Sequence, residues 1–234
     1  MLGASTTPPR WPAGWSVEHV ATTGSTNDDL KAAADRLPDR SVLVADHQRA
    51  GRGRLDRRWD APPGSNLLVS MLFRHVPDPP GELTRRVGLA ALEACRRTTG
   101  ARAGLKWPND LVADGAKLAG ILAERVPSGP VVVGLGLNVG WAPPGAARLG
   151  DGIEPLDVLA VMLAAYDELP GDVFERYRSR LVTLGQDVRV ELPAGHIEGR
   201  AVDVERDGRL VVLDRAGARH CLDTGDVVHL RPRG

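Results

Sequence analysis

Apolar and polar positions divide the chain into a mixed helix-and-strand body and an all-strand tail. In the body, short apolar runs alternate with segments whose apolar residues recur every three or four positions. The short runs predict strands over residues 15–20, 41–47, 65–74, 102–106, about 109–113, 117–124 and 130–138. The periodic segments predict helices from Ser25 to about Leu37, over 81–100 and over most of 155–184. This order indicates an α+β body in which helices pack on a mixed sheet.

The pattern changes at Gly185, where short alternating strands separated by tight turns begin. We therefore expect a catalytic body over 16–184 and a small SH3-like β barrel over 185–234. Residues 1–15 are rich in Pro, Thr and Gly, and this composition predicts a flexible N-terminal arm.

Composition narrows the classes of function. The formal net charge of zero disfavours nonspecific binding to nucleic acid. No apolar run approaches about 18 residues, and the N-terminus lacks the basic start and apolar core of a signal peptide. Cys95 and Cys221 are the only cysteines, which is too few for a disulfide framework and fits a reducing cytoplasm. The six histidines lack metal-ligand spacing.

A long polar loop over residues 48–64 carries the strongest charge signal. The stretch AGRGRLDRRWD and the residue before it hold five arginines: Arg49, Arg52, Arg54, Arg57 and Arg58. The glycine spacing matches neither a dinucleotide fingerprint nor a phosphate-binding P-loop. Arginine nevertheless pairs with phosphate in a bidentate manner, and glycine lets the backbone approach a ligand. The alternative is an ordinary solvated loop.

Rare residue types mark the other candidate sites. Only three lysines occur, and KWPNDLVADGAKLAG holds two of them, Lys106 and Lys117. Asn27 lies in GSTNDD, which starts a helix, and Asn138 lies in GLGLNVG. Free N–H groups at a helix start bind polar ligands, and a lysine beside a phosphate site is an electrostatic catalyst. The simpler interpretations are a helix cap, a Pro-Asn-Asp turn and a surface lysine.

The order of these motifs resembles that of the biotin protein ligases, also called biotin–[acetyl-CoA-carboxylase] ligases. The series is STN, Q followed by AGRGR, W, KWPNDL, KLAGIL, GLGLNVG and a β tail, over about residues 16–234. The resemblance implies a class II synthetase-like catalytic domain with a C-terminal SH3-like barrel. It implies that biotin reacts with ATP to give biotinyl-5′-AMP, and that biotin is then transferred to a lysine of a carrier protein.

The resemblance also assigns roles to residues. Those implied to bind biotin are Ser25, Thr26, Asn27, Gln48, Gly51, Arg52, Gly53, Arg54, Lys117, Gly120, Gly134 and Gly136. Those implied to bind ATP are Arg52, Arg54, Arg57, Trp59, Asn109, Lys117 and Asn138. The catalytic set is Lys117, Arg52, Arg54 and Asp110. Within these sets, the three later glycines leave room for the biotin rings and Trp59 packs near adenine. Asp110 and Asn138 order Lys117 and the magnesium or target lysine, and Mg²⁺ arrives with ATP near Asp110 rather than at a site made by protein alone.

Further expectations concern partners. The resemblance implies, as acceptor, the biotin carboxyl carrier domain of an acyl-CoA or pyruvate carboxylase, and a monomer or weak homodimer. Only 24 residues precede Ser25, too few for the DNA-binding domain of bifunctional relatives, and the net charge is zero, so we expect no DNA binding. We expect no membrane binding either, because no apolar run is long enough to span a membrane. Asp56 stands where many relatives have a further loop glycine. A lipoate ligase of the same fold and a non-enzymatic biotin binder are the alternatives.

The arginine loop gives a first prediction. Because it should order over an anionic ligand, trypsin should cut at Arg52–Arg58 in the free protein and more slowly when biotin or biotinyl-AMP is bound. Mass spectrometry of timed digests measures both rates. Equal cleavage with and without ligand would contradict this expectation.

Overall fold

The computed structural model describes residues 9–193 and 195–230, apart from the side chain of Asp56. Seven strands form the sheet of the body, in the spatial order β1-β2-β3-β7-β6-β5-β4. The strands are β1 Ser16–Thr23, β2 Ser41–Gln48, β3 Leu67–Phe73, β4 Ala103–Lys106, β5 Asp110–Ala113, β6 Ala116–Arg125 and β7 Val131–Leu137. Only the β1–β2 pair is parallel, so the predicted mixed sheet is confirmed.

Helices cover both faces of this sheet. They are α1 Thr26–Ala33, α2 Glu82–Thr99, α3 Pro155–Asp167 and α4 Phe174–Arg180. Leu30 of α1 packs in a small cluster with Leu43 and Leu72 of the sheet. The large core lies on the other face, where α2 and α3 pack together and against the sheet. On β2, β3 and β7 the side chains of the two clusters alternate along the strand, as the pleat of a strand requires. None of the described helices is long and apolar enough to cross a membrane.

Two predicted helices are shorter than the pattern suggested. Ser25 caps α1 as expected, but the helix ends at Ala33 rather than near Leu37. Pro38 follows, and a residue before proline is disfavoured in helical conformation. The segment 155–184 contains two helices instead of one nearly continuous helix, because Pro170 and Gly171 interrupt it.

The predicted N-terminal arm requires a correction at its end. Residues 1–8 lie outside the described part of the chain, whereas Trp15 is buried in the core with 7% of its surface exposed. Its Nε1 donates a 3.0 Å hydrogen bond to Asp167, and the guanidinium of Arg40 lies 4.8 Å from its ring centroid. A tryptophan buries more apolar area than most residues, so Trp15 belongs to the body.

The C-terminal strands form a second sheet, which is antiparallel throughout and has the order β11-β10-β9-β8-β12. Its strands are β8 Asp187–Leu192, β9 Gly195–Val204, β10 Leu210–Leu213, β11 Arg219–Leu222 and β12 Asp226–His229. This agrees with the predicted small SH3-like domain. The sheet contacts the body through the β9–β10 turn, where Trp107 Nε1 donates to Gly208 O at 2.8 Å.

His229, on β12 of this domain, predicts a pH dependence of stability. Burial lowers its pKa, as does the nearby Lys106 ammonium. Because the unfolded chain takes up this proton at higher pH than the folded protein, stability falls as the pH drops through about 6.5. Between pH 7.5 and 5.5, His229→Gln should therefore lose less of its urea midpoint than the wild type. His196→Gln, at an exposed position, is the control. Equal losses in all three proteins would contradict the prediction.

Candidate functional site

A cavity of about 490 Å³ lies on the α1 face of the large sheet, beneath the β2–β3 loop. Residues of the C-terminal domain, including Asp226 and Val228, close one side. The sequence-predicted residues that line it are Ser25, Thr26, Asn27, Gln48, Arg52, Gly53, Arg54, Arg57, Trp59, Asn109, Asp110, Lys117, Gly120, Gly134, Gly136 and Asn138. Gly51 is the exception: a Cβ there would lie 2.4 Å from the carbonyl oxygen of Trp59. Gly51 therefore permits the close packing of the loop on itself.

Three glycines form the floor of the cavity. Gly120 on β6 lies opposite Gly136 on β7, and Gly134 lies two residues further along the same face. A Cβ on Gly134 would lie 2.3 Å from Asn27 Oδ1, and one on Gly136 would lie 2.4 Å from the Trp59 indole. The expected room for biotin rings is thus occupied by the Asn27 and Trp59 side chains in this structure, because a sheet without Cβ atoms lets neighbouring side chains lie flat on it.

The inner corner of the cavity is a buried network of hydroxyl and amide groups. Gln48 Oε1 accepts from Thr26 N at 2.8 Å and from Thr26 Oγ1 at 3.0 Å. Ser70 Oγ lies 2.7 Å from Thr26 Oγ1 and donates to Asn27 Oδ1 at 2.5 Å. These groups start α1 or end β2, except Ser70, which lies mid-strand on β3. The corner is therefore polar, preorganised and suited to a neutral ring that forms hydrogen bonds.

The loop arginines bridge the body and the C-terminal domain. Arg52 pairs with Asp28 at the start of α1, whereas Arg57 pairs with Asp226 of β12. Arg54 donates to Asn109 Oδ1 at 3.1 Å, and it also reaches the turn before β12 through Thr224 Oγ1 (3.2 Å) and Gly225 O (3.4 Å). The loop forms a roof that both domains hold in place.

Lys117 lies at the mouth of the cavity, at the start of β6. Its Nζ is 2.7 Å from Asp110 Oδ1 and 5.7 Å from the centroid of the Trp59 ring. The approach to Asp110 is off the hydrogen-bonding direction, so this buried oxygen has no hydrogen bond among the described residues. Asn138 holds the backbone of Lys117 rather than its ammonium, because Nδ2 donates to Lys117 O (3.5 Å) and Ala147 O (2.9 Å).

Lys106 and Arg54 add to the positive potential around Lys117. Lys106 lines the cavity, and burial lowers its pKa. Together with Arg54 and Lys117 it surrounds the space beside Asp110 with positive charge. Such a space is suited to a polyphosphate or a carboxylate.

Sequence reasoning missed four residues that shape the site: Asp28, Ser70, Glu124 and Asp226. Ser70 is a serine inside the apolar strand LLVSMLF, and this break in the pattern was a usable signal. The other three are ordinary carboxylates in sequence, and only the fold brings them to the arginines. Asp226 lies 169 residues from Arg57 along the chain.

Family comparisons agree with this geometry. The model of the "Biotin/lipoate A/B protein ligase family" matches residues 19–138, and that of the "Biotin protein ligase C terminal domain" matches 183–230. The chain belongs to the biotin/lipoate A/B protein ligase family. All three predicted glycines of the floor lie within the matched catalytic region.

Individual relatives cover most of the chain. The biotin–[acetyl-CoA-carboxylase] ligase of Mycobacterium tuberculosis is 41% identical over 94% of this chain and 91% of its own length. The ligase of the same name from Paracoccus denitrificans is 34% identical over 71% of this chain and 74% of its own. Among solved structures, the Aquifex aeolicus biotin protein ligase in complex with biotin and ATP superposes with a TM-score of 0.77. It is 26% identical and covers 92% of this chain and 99% of its own.

The glycine floor gives a prediction. Gly136→Ala should displace the Trp59 indole, because the new methyl group cannot share its space. We expect a red shift of tryptophan emission and an affinity for biotin at least about tenfold lower. Gly171→Ala is the control, since nothing lies within 4 Å of a Cβ at that position. Unchanged emission and affinity in Gly136→Ala would show that the floor tolerates a side chain.

Proposed function

We propose that this protein is an ATP-dependent biotin protein ligase. It activates biotin as biotinyl-5′-AMP and transfers the biotinyl group to a lysine of a biotin carboxyl carrier domain. The observation that carries the proposal is a single cavity that joins a neutral hydrogen-bonding corner to a cluster of cations, under an arginine loop. The first suits the head of biotin, and the second suits the reacting carboxylate and triphosphate.

In the first half-reaction, a carboxylate oxygen of biotin attacks the α-phosphorus of ATP. The new O–P bond forms as the bond to the β-phosphate oxygen breaks, and pyrophosphate leaves. Both reactants are anions, so their approach requires positive charge that is in place before the reaction. Arg52, Arg54 and Lys117 are positioned to supply it. The loop arginines would then exchange their present partners for phosphate oxygens.

In the second half-reaction, the amine of the acceptor lysine attacks the carbonyl carbon of the mixed anhydride. The C–N bond forms, the C–O bond to phosphate breaks, AMP leaves and the amine loses a proton. Lys117, held at 2.7 Å by Asp110, is placed to stabilise the charge on the departing phosphate. A closed loop also keeps water from the anhydride until the acceptor arrives.

Binding the ligands requires Trp59 to change position. Its indole now covers Gly136, and its Nε1 is buried with no hydrogen-bond partner among the described residues. An unpaired buried N–H raises the energy of this arrangement by roughly 1–3 kcal/mol. The ring is therefore ready to leave the floor and pack against the incoming adenine.

Magnesium would accompany ATP rather than occupy a site made by protein alone. No cluster of three or more metal-binding side chains occurs within residues 9–193 and 195–230, leaving Asp56 aside. Mg²⁺ is commonly held by one or two carboxylates together with substrate phosphates. Asp110, a carboxylate that lines the cavity beside Lys117, would be the protein ligand. When bound, the ion neutralises phosphate charge.

A lipoate ligase is the second candidate, because the catalytic family model covers both acids. The corner formed by Thr26, Asn27 and Ser70 favours biotin, whose ring carries N–H and C=O groups, over the apolar dithiolane of lipoate. The C-terminal family model and the named relatives favour biotin as well. A binder without catalysis would not require cations around the reacting carboxylate.

Exchange of labelled pyrophosphate into ATP tests the proposal. Exchange should require biotin and should not occur with lipoate. Lys117→Ala should slow it by about 10²–10³-fold, because one preorganised charge at the reacting phosphate is lost. Arg215→Ala, whose side chain is 80% exposed and lies outside the cavity lining, serves as the cation-removal control. Exchange with lipoate alone would assign the chain to the sister activity, and exchange with neither acid would sink the ligase proposal.

A further inference from the structure

Glu124 lies at the end of β6, behind the polar corner, and it contacts both the corner and the roof. Its Oε2 accepts a 2.7 Å hydrogen bond from Asn27 Nδ2. Its Oε1 lies 2.5 Å from Lys31 Nζ and 3.6 Å from Arg52 Nη2. The Glu124 side chain is 23% exposed. One side chain thus joins the inner corner of the cavity to the first arginine of the loop.

The contact with Glu124 fixes which way the Asn27 amide faces. Asn27 Nδ2 has two hydrogens, and both are used, one by Glu124 and one by Leu122 O at 3.2 Å. A carboxylate and a carbonyl accept only, so they exclude the flipped amide. Asn27 Oδ1 therefore points over Gly134 at the cavity floor. Ser70 donates one hydrogen bond to it, which leaves one lone pair for a ligand.

Asn27 alone would not enforce this polarity. An amide can rotate by half a turn and offer N–H instead of oxygen at little cost when its neighbours allow either orientation. The Glu124 carboxylate fixes the orientation of the Asn27 amide, because a hydrogen bond to a carboxylate is about twice as strong as a neutral one. Lys31 holds Glu124 in turn: its Nζ lies 2.5 Å from Glu124 Oε1 and 3.0 Å from Asp28 Oδ1, so the lysine bridges the two carboxylates.

We propose that Glu124 is a positioning residue that makes the site selective for acids whose ring presents an N–H donor. It does so by locking Asn27 Oδ1 toward the cavity as an acceptor. The inference rests on the proposed function and deepens it, since the ureido ring of biotin carries such donors and the dithiolane ring of lipoate carries none. In this proposal Asn27 contacts the ligand, whereas Glu124 determines which ligand Asn27 accepts.

Isosteric analogues test the polarity directly. In two carbamate analogues of biotin, one or the other ureido N–H is replaced by an ether oxygen. The wild-type protein should prefer biotin to at least one of them by about tenfold or more in kcat/KM for pyrophosphate exchange, because that oxygen would face Asn27 Oδ1 without a proton between them.

Variants of the positioning residue should reduce this preference. In Glu124→Ala only the 3.2 Å contact with Leu122 O still opposes the flipped Asn27 amide. Asn27 can then turn its Nδ2 toward the ether oxygen at lower cost, so the ratio of biotin to that carbamate should fall to about threefold or less. Glu124→Gln should give an intermediate ratio, because its amide cannot accept from Asn27 and from the two cations equally well. Glu18→Ala, at an exposed position on β1, removes a carboxylate outside the site and should keep the wild-type ratio.

The outcomes separate the two proposals. Absence of biotin-dependent exchange in the wild type would overturn the ligase function. Wild-type exchange with an unchanged preference in Glu124→Ala would overturn the positioning role alone. A purely structural role would lower stability and slow all three acids equally, and would leave the ratio unchanged. If Glu124→Ala fails to fold, as judged by circular dichroism, Glu124→Gln decides, and a wild-type ratio in that variant overturns the inference.

Discussion

The floor of the cavity is a patch of β-sheet without side chains, and the arrangement of the site depends on it. Gly134 lies beside Ser70 of β3 and Leu122 of β6, and Gly136 lies beside Gly120. A glycine within a strand weakens the strand, because it adds backbone entropy and packs nothing. Here it creates a shallow trough one side chain deep. Asn27 and Trp59 lie in that trough, so their positions depend on the absence of Cβ atoms at Gly134 and Gly136.

Ion pairs explain how the cations of the site stay in place when no anionic ligand is bound. Arginines that were simply exposed would be mobile, and a buried unpaired cation would be costly. In this protein carboxylates hold the charges in place: Asp28 holds Arg52, Asp226 holds Arg57 and Asp110 holds Lys117. Each cation is therefore already held at the cavity before a ligand arrives, and little reorganisation of the charges is needed there.

The sequence predicted which residues line the cavity better than it predicted the contacts that position them. KWPNDL, KLAGIL and GRGR each carry unusual residue types in a fixed order, and they converge on one cavity as expected. The contacts that position them are long-range and involve common residue types. Glu124 resembles any charged residue near the end of a strand, and its contact with Asn27 spans 97 positions. Likewise, Trp15 looked like part of a loose arm, because its partners Arg40 and Asp167 are remote in sequence.

The two walls of the cavity differ in how firmly they are held, and this difference fits a reaction in two steps. The inner corner is buried, and its hydrogen bonds connect α1, β3 and β6, so opening it would leave polar groups without partners. The roof is attached to the C-terminal domain through Arg57, which is 64% exposed, and through hydrogen bonds of 3.2 Å and 3.4 Å from Arg54 to Thr224 and Gly225. An exposed ion pair contributes at most about 1 kcal/mol. The roof can therefore open to admit a bulky carrier domain while the inner corner still holds the acyl group. For this to work, the contacts that select the acid must lie in the inner corner, and the weakly held contacts must lie in the roof.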